Sequence, residues 1–242
     1  MKAYIVKIEL KDSNPLIWRR VILPANATFN RLHDIIQNLT NFKSGYPYPG
    51  YHLFEFNLPE ILATNNREMI EEHRAYQEDK TIYEEVLAQI SEKSYEYKKK
   101  RQDRLNFPAK YPERVKIDPY LEKEKELSYL YDFGDYWEFT IRLEKIVEDY
   151  YFGYPTLLDG AESAPPEDVG GIGGFYGFLE DYLDESHPDH EEARAWAEMQ
   201  EFEEYDPKEI NRKLKELKYQ KTEWKKIDHK NYKIINDKYR KE

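Results

Sequence analysis

The chain has 242 residues, 40% hydrophobic and 15% aromatic with 22 tyrosines, enough for one large domain whose core leans on aromatic side chains. It has no cysteine, which excludes disulfides, thiol nucleophiles and cysteine-bound zinc. The net charge of -11 disfavours nonspecific binding to nucleic acid, but it is uneven: residues 144–207 carry 19 acids against 2 bases, and residues 208–242 carry 13 bases against 6 acids.

The opening stretch MKAYIVKIEL alternates apolar and polar residues and is too short and too charged for a signal peptide. No apolar run approaches membrane-spanning length, so the expectation is a soluble, cytoplasmic protein with no membrane partner. Residues 4–10 read as a strand with Tyr4, Val6, Ile8 and Leu10 on one face. After the turn cluster KDSNP, IWRRVIL reads as a second strand, with Trp18, Arg20 and Ile22 on one face and Arg19, Val21 and Leu23 on the other. Thr28 is placed to cap a helix carrying Leu32, Ile35, Ile36 and Leu39. NFKSGYPYPG reads as a loop, and YHLFEF as a third strand with His52, Phe54 and Phe56 together. This ββαβ order is that of β-grasp domains and other α+β folds.

Residues 60–126 are charged and helical in pattern, with a narrow stripe of Tyr83, Val86, Leu87 and Ile90, and read as one or two helices inserted between sheet strands. FPAKYPERVKIDPY reads as a proline-punctuated connector. The sheet resumes with LSYLYDFGDYWEFTIRLEKI. There Leu127, Tyr129, Tyr131 and Phe133 alternate, then Trp137, Phe139, Ile141 and Leu143, which places a two-residue turn at Gly134-Asp135. Residues 151–174 read as a glycine- and proline-rich loop. Helices follow with Phe175, Phe178, Leu179 and Tyr182 inward, then with Pro188 in a first turn and Ala193, Trp196 and Ala197 inward. A last one is capped by Asp206-Pro207-Lys208-Glu209, with Ile210, Leu214 and Leu217 as its stripe.

Two motifs suggest nucleotide chemistry and fail on context. Asp132-Phe133-Gly134 lacks the upstream glycine loop, strand lysine and His-Arg-Asp loop that magnesium-dependent phosphoryl transfer needs. Gly171-x-Gly173-x-x-x-Gly177 misses the dinucleotide spacing and follows a proline-rich loop instead of a strand. His187-Pro188-Asp189-His190-Glu191 lies at a helix start, where acids favour the dipole without any metal. No His-x-x-Arg set and no activated serine supports recombinase or hydrolase chemistry.

What remains is a polar and aromatic set at strand ends and loops: Trp18, Arg19, Arg20, His52, Asp132, Asp135, Trp137, Glu167 and Asp168. One reading has Arg19 or Arg20 bracing the carboxylates of the APPED loop. The other has the set lining a cleft for an unknown small molecule or protein.

PLIWRRVILPANATFNRLHDIIQNLTNF, YHLFEF, YLYDFGDYWEFTIRLEKI, APPEDVGGIGGFYGFLE and HPDHEEARAWAEMQEFEEYDPKEINRKL occur in an order that resembles the plasmid pRi ORF-three-like family, over about 1–58 and 127–218. The resemblance implies an α+β domain of uncharacterised function found on plasmids, transposable elements and chromosomes, some members being labelled TnpR-type resolvases. Many relatives have His-Leu-His-Glu-Phe, Trp-x-His and Cys-Pro-Pro-Glu-Asp where this chain has Phe54, Phe139 and Ala164 in place of the second His, the later His and the Cys. Two histidines and a cysteine would suit a metal, so the expectation here is no metal and no cofactor.

The expected architecture is one α+β domain over 1–218, with a mixed or antiparallel sheet, a β-grasp-like N-terminal half, packed helices, a helical insertion at 60–126 and a basic tail at 219–242. The expected function is a non-catalytic binding module. Two alternatives stand beside it: a DNA-associated accessory protein of a mobile element acting through the tail, and an enzyme using Asp132, Asp135, Glu167 or Asp168 as acid/base groups.

Overall fold

The first hairpin follows from alternation. In a computed structural model describing residues 1–43, 52–89, 95–220 and 239, β1 (Ala3–Leu10) and β2 (Trp18–Pro24) pair antiparallel, Ala3 opposite Pro24 and Glu9 opposite Trp18. Tyr4, Val6, Ile8 and Leu10 face the main core with Val21 and Leu23, while Ala3, Ile5 and Ile22 face a smaller cluster with Val147, Tyr150, Phe152 and Leu158. Thr28 caps α1 (Phe29–Leu39) through its side chain, which accepts from Arg31 N–H at 3.1 Å. The helix lays Leu32, Ile35, Ile36 and Leu39 into the main core.

The chain continues through β3 (Phe54–Asn57), β4 (Leu62–Thr64), α2 (Arg67–Glu78), α3 (Lys80–Ala88), α4 (Tyr95–Asn106), β5 (Ala109–Lys110) and α5 (Asp118–Glu124). It then forms β6 (Glu126–Tyr131), β7 (Trp137–Val147), β8 (Thr156–Ala161), α6 (Gly171–Leu183), α7 (His190–Met199) and α8 (Pro207–Glu216). Among the described residues eight strands make one mixed sheet in the order β5-β4-β3-β6-β7-β1-β2-β8, with β4 and β5 parallel and the other pairs antiparallel. The fold is α+β, and among the described residues no helix is long and apolar enough to cross a membrane.

Several expectations change. Among the described residues the 60–126 segment supplies β4 and β5 to the sheet as well as four α-helices, of which α2, α3 and α4 close on a satellite cluster of Tyr76, Leu87, Leu105 and Tyr83. Ile90 and the Val86 side chain lie outside the described residues, as do most of the 41–50 loop and most of the basic tail. The 151–174 loop contains a strand, β8, which pairs with β2. Its other edge is met by Asn211 of α8, whose side chain accepts from Leu157 N–H at 2.9 Å and donates to Leu157 C=O at 3.2 Å. A side-chain amide thus completes the ladder that a ninth strand would extend. Pro188 precedes α7 instead of entering it, while Asp206 caps α8 as expected, accepting from Lys208 N–H at 2.8 Å.

The glycine run is helical from Gly171 onward. Gly174 lets the incoming chain pass close by, because a Cβ there would lie 1.9 Å from Val169 O. Gly171 has φ +69° and sits against Asp135 O. These glycines serve close packing at a helix start.

Candidate functional site

The turn between β6 and β7 differs from a two-residue hairpin, and the difference builds the site. Tyr131 pairs with Trp137, so five residues make the turn and Phe133 leaves the strand, 39% exposed. Positive φ falls on Asp132 and Tyr136. Asp132 takes that conformation because its side chain organises the turn: Oδ1 accepts Gly134 N–H at 2.9 Å, and its C=O accepts Tyr136 N–H at 2.6 Å. Asp132 N–H is tied to Leu53 C=O at 2.9 Å, beside the start of β3. The second carboxylate oxygen of Asp132 then faces His52, with Nδ1 to Oδ2 at 3.4 Å.

His52 is buried just before β3. Its carbonyl accepts from Asn65 Nδ2 at 3.0 Å, and Asn65 Oδ1 accepts from Phe54 N–H at 2.8 Å. Glu167 arrives from the APPED loop, which docks on the segment after α1 through the Asn41–Pro166 bridge and a bond from Asn41 Nδ2 to Ala164 C=O at 2.7 Å. Glu167 is 4% exposed. Its Oε1 accepts from the Tyr131 hydroxyl at 2.7 Å and from Lys43 N–H. Its Oε2 lies 3.7 Å from His52 Nε2 and has no hydrogen-bond donor. The Trp137 indole N–H, across the strand pair from Tyr131, is also buried without an acceptor.

Burial pushes the Glu167 carboxyl above its ordinary range, against the opposing pull of Tyr131, Lys43 and His52. Burial first, and Glu167 second, push the Tyr131 hydroxyl far up, so it keeps its proton and serves as a donor. The arrangement is an imidazole between two carboxylates, with one carboxylate oxygen unspent, and on the strand next to Tyr131 an indole N–H is unspent as well. One ligand atom each from His52, Asp132 and Glu167 lie within 4.8 Å of one another. Asp181, His187 and Asp189 make a similar group between α6 and α7, but they are partly or fully exposed and their bonds are local: His187 Nδ1 accepts Asp189 N–H at 3.3 Å and faces Asp181 at 3.1 Å.

Of the nine residues expected to line a cleft, His52, Asp132 and Glu167 come together, and Trp137 is linked to them through its strand partner Tyr131 and through Phe42. Asp135 is nearby in the same turn but docks it onto α6, its Oδ2 accepting Gly170 N–H at 3.1 Å. Asp168, at φ 55°, lines a groove with Phe178 and Trp196 between α6 and α7.

Trp18, Arg19 and Arg20 sit on β2, on the other side of β1 and β7 from β6. Arg19 does not brace the APPED carboxylates. It is buried and donates to the carbonyls of Leu39, Trp18, Ala161 and Glu162 at 3.1, 2.8, 2.6 and 2.8 Å, stacked over Tyr205 at 4.3 Å. Burial lowers its pKa to about 10, so it stays charged at neutral pH. Arg20 forms a bidentate pair with Glu144 at 2.6 and 3.0 Å, and Trp18 carries Lys7 and Arg20 over its ring. The carbonyls around Arg19 had no sequence signature, whereas a nearby acidic loop did.

Tyr131, Lys43 and Phe42 were missed. Tyr131 was legible only as an apolar member of an alternating strand. Phe42 packs tilted against Tyr131 and Trp137, with ring centroids 4.8 and 5.7 Å away, on the α1 side of the site. The three positions at which the resemblance implied His, His and Cys are filled here by core residues: Phe54 stacks on His33 at 3.7 Å, and Phe139 and Ala164 are buried.

The relatives point the same way as the architecture. A protein of unknown function, MM3350 from Methanosarcina mazei Go1, has a similar crystal structure, with TM-score 0.58 and 29% identity, covering 86% of this chain and 96% of that one. The uncharacterized protein y4hQ of Sinorhizobium fredii is 24% identical over 202 residues, 81% of each chain. The family described as "Plasmid pRiA4b ORF-3-like protein" matches residues 2–214, a range that runs through the 60–126 segment. The chain therefore belongs to the plasmid pRiA4b ORF-3-like family.

Proposed function

We propose that the chain is a non-catalytic binding module, and that its ligand is held where β3 begins, β6 ends and β7 begins, between His52, Asp132, Trp137 and Glu167. The observation that carries this reading is Glu167 Oε2, a buried carboxylate oxygen with no donor. A buried acceptor left unmade costs about 1–3 kcal/mol, more when charged. A ligand that supplies a cation or a donor there recovers that cost, and Trp137 N–H offers a second point of attachment. The test is native mass spectrometry of the full chain taken directly from cells. A retained small ligand in the wild type, lost in Glu167→Gln and weakened in Trp137→Phe, is expected. Bare protein in every case, with no ligand-induced rise in melting temperature, would reject the reading.

A second reading is acid/base catalysis. It is favoured by one observation, the convergence of Asp132 and Glu167 on His52. It requires turnover of a bound molecule that falls by orders of magnitude in Glu167→Gln. Binding without chemical change in the retained molecule discards it.

A further inference from the structure

The contacts from the His52 ring to Asp132 and Glu167 are wider than hydrogen bonds and leave from different ring nitrogens, Nδ1 and Nε2. Protein N–H···O bonds run about 2.7–3.2 Å between heavy atoms, whereas His52 stands 3.4 Å from Asp132 and 3.7 Å from Glu167. Donor atoms around a metal at about 2.0–2.2 Å are separated by about 3.3–3.6 Å in a tetrahedral shell. One donor atom each from His52, Asp132 and Glu167 lie within 4.8 Å of one another, so closure by about 1 Å brings the three onto that edge length around a single imidazole nitrogen. An imidazole with two carboxylates is also a donor set of the kind that holds a divalent cation. The unspent Oε2 of Glu167 supplies the second observation: it is buried, faces His52 and accepts no hydrogen bond.

From these observations we infer that the ligand of the site is a divalent transition metal of the zinc class, ligated by His52, Asp132 and Glu167. This rests on the binding reading above and gives its ligand a chemical class. A nitrogen donor with two carboxylates suits zinc and its neighbours better than magnesium or calcium, which favour all-oxygen shells. Three protein ligands leave a coordination position open. The surroundings orient the ligands: Tyr131 and Lys43 hold the other Glu167 oxygen, Gly134 N–H holds the other Asp132 oxygen, and Asn65 holds the His52 backbone. The inference departs from the expectation of no metal, and it uses residues other than the Phe54, Phe139 and Ala164 positions on which that expectation rested.

The experiment titrates metal-free, full-length protein with zinc sulfate and with cobalt chloride. Calorimetry gives stoichiometry and affinity, and visible absorption reports cobalt coordination. One equivalent per chain is expected, with a cobalt spectrum of low symmetry. His52→Ala and Glu167→Gln should weaken binding by at least about 100-fold. Glu167→Gln keeps an acceptor for Tyr131 and Lys43, and its melting temperature in the metal-free state confirms folding. His187→Ala, at the exposed cluster, should leave binding unchanged. No stoichiometric uptake, or loss of uptake in His187→Ala with full uptake in Glu167→Gln, overturns the assignment. An organic molecule retained by metal-free protein and lost in Glu167→Gln overturns the metal but keeps the binding reading. Neither metal nor molecule bound overturns both.

Discussion

Replacing Tyr131 by Phe removes one oxygen and leaves the ring in its place. That hydroxyl donates to Glu167 Oε1 at 2.7 Å from a fully buried residue. Oε1 retains one other donor, Lys43 N–H, and Oε2 has none. The loss therefore falls on a buried carboxylate already short of donors. A hydrogen bond to a charged group is worth about 1.5–3 kcal/mol. With Lys43 still in place, about 2 kcal/mol is expected for Tyr131→Phe, a fall of about 4–8 °C in melting temperature for a chain of this size. In the Glu167→Gln background the acceptor is neutral, and the same substitution should cost about 1 kcal/mol. The assay is urea unfolding of metal-free protein at pH 7 for wild type, both single variants and the double variant. A coupling of about 1 kcal/mol supports the reasoning. Additive effects, or a neutral Tyr131→Phe, would show that the hydroxyl does not hold the carboxylate.

Asn211→Ala strips both side-chain bonds from the outer edge of β8, and is expected to cost about 2–4 kcal/mol; an unchanged urea midpoint would refute it. His33 is buried against Phe54 and Tyr129, and burial lowers its pKa from 6.5 to about 3. The unfolded chain therefore takes up this proton near pH 6.5 while the folded chain does not, so its contribution is intact above 6.5 and falls away toward pH 3. The slope is up to about 1.4 kcal/mol per pH unit. His33→Gln should flatten stability between pH 6.5 and 4 by one proton's worth, and an identical slope in both proteins would contradict the assignment. Gly174→Ala meets Val169 O at 1.9 Å whereas Gly173→Ala meets nothing. The first should destabilise by more than about 2 kcal/mol, and the second should stabilise by about 0.5–1 kcal/mol through helix propensity. Equal effects, measured by thermal melts, would remove the close-approach explanation of the glycine run.

The elements legible in the sequence are those whose local pattern and tertiary setting agree. β1, β2 and β7 alternate because one face meets α1 and the main core, and α1 and α8 announce themselves by Thr28 and by Asp206-Pro207. β8 was hidden because Gly160 and Pro155 read as loop residues. It is a strand because β2 pairs with one edge and Asn211 supplies the other, and neither partner is near in sequence. β4 and β5 are three and two residues long, and pairing holds them with no pattern to display. The turn was misread because Gly134-Asp135 is a good two-residue signal. Asp132 overrides it by bonding Gly134 N–H and anchoring to Leu53.

That override also bears on function. A two-residue turn at Gly134-Asp135 would keep Asp132 and Phe133 in the strand, where alternation sends their side chains to opposite faces of the sheet. Ending the strand at Tyr131 instead puts Asp132 in a left-handed conformation, with one carboxylate oxygen committed to the turn and the other facing His52. Tyr131, the last strand residue, keeps its ring in the core, and its hydroxyl reaches Glu167. Three segments distant in sequence are thus fixed at one end of the sheet by hydrogen bonds to backbone carbonyls: Asp132 N–H to Leu53, Asn65 Nδ2 to His52, and Asn41 Nδ2 to Ala164. A group of side chains held this firmly does not need a ligand to assemble it. Ligand binding should therefore raise stability through the unspent groups of Glu167 and Trp137, with little change in the backbone around them.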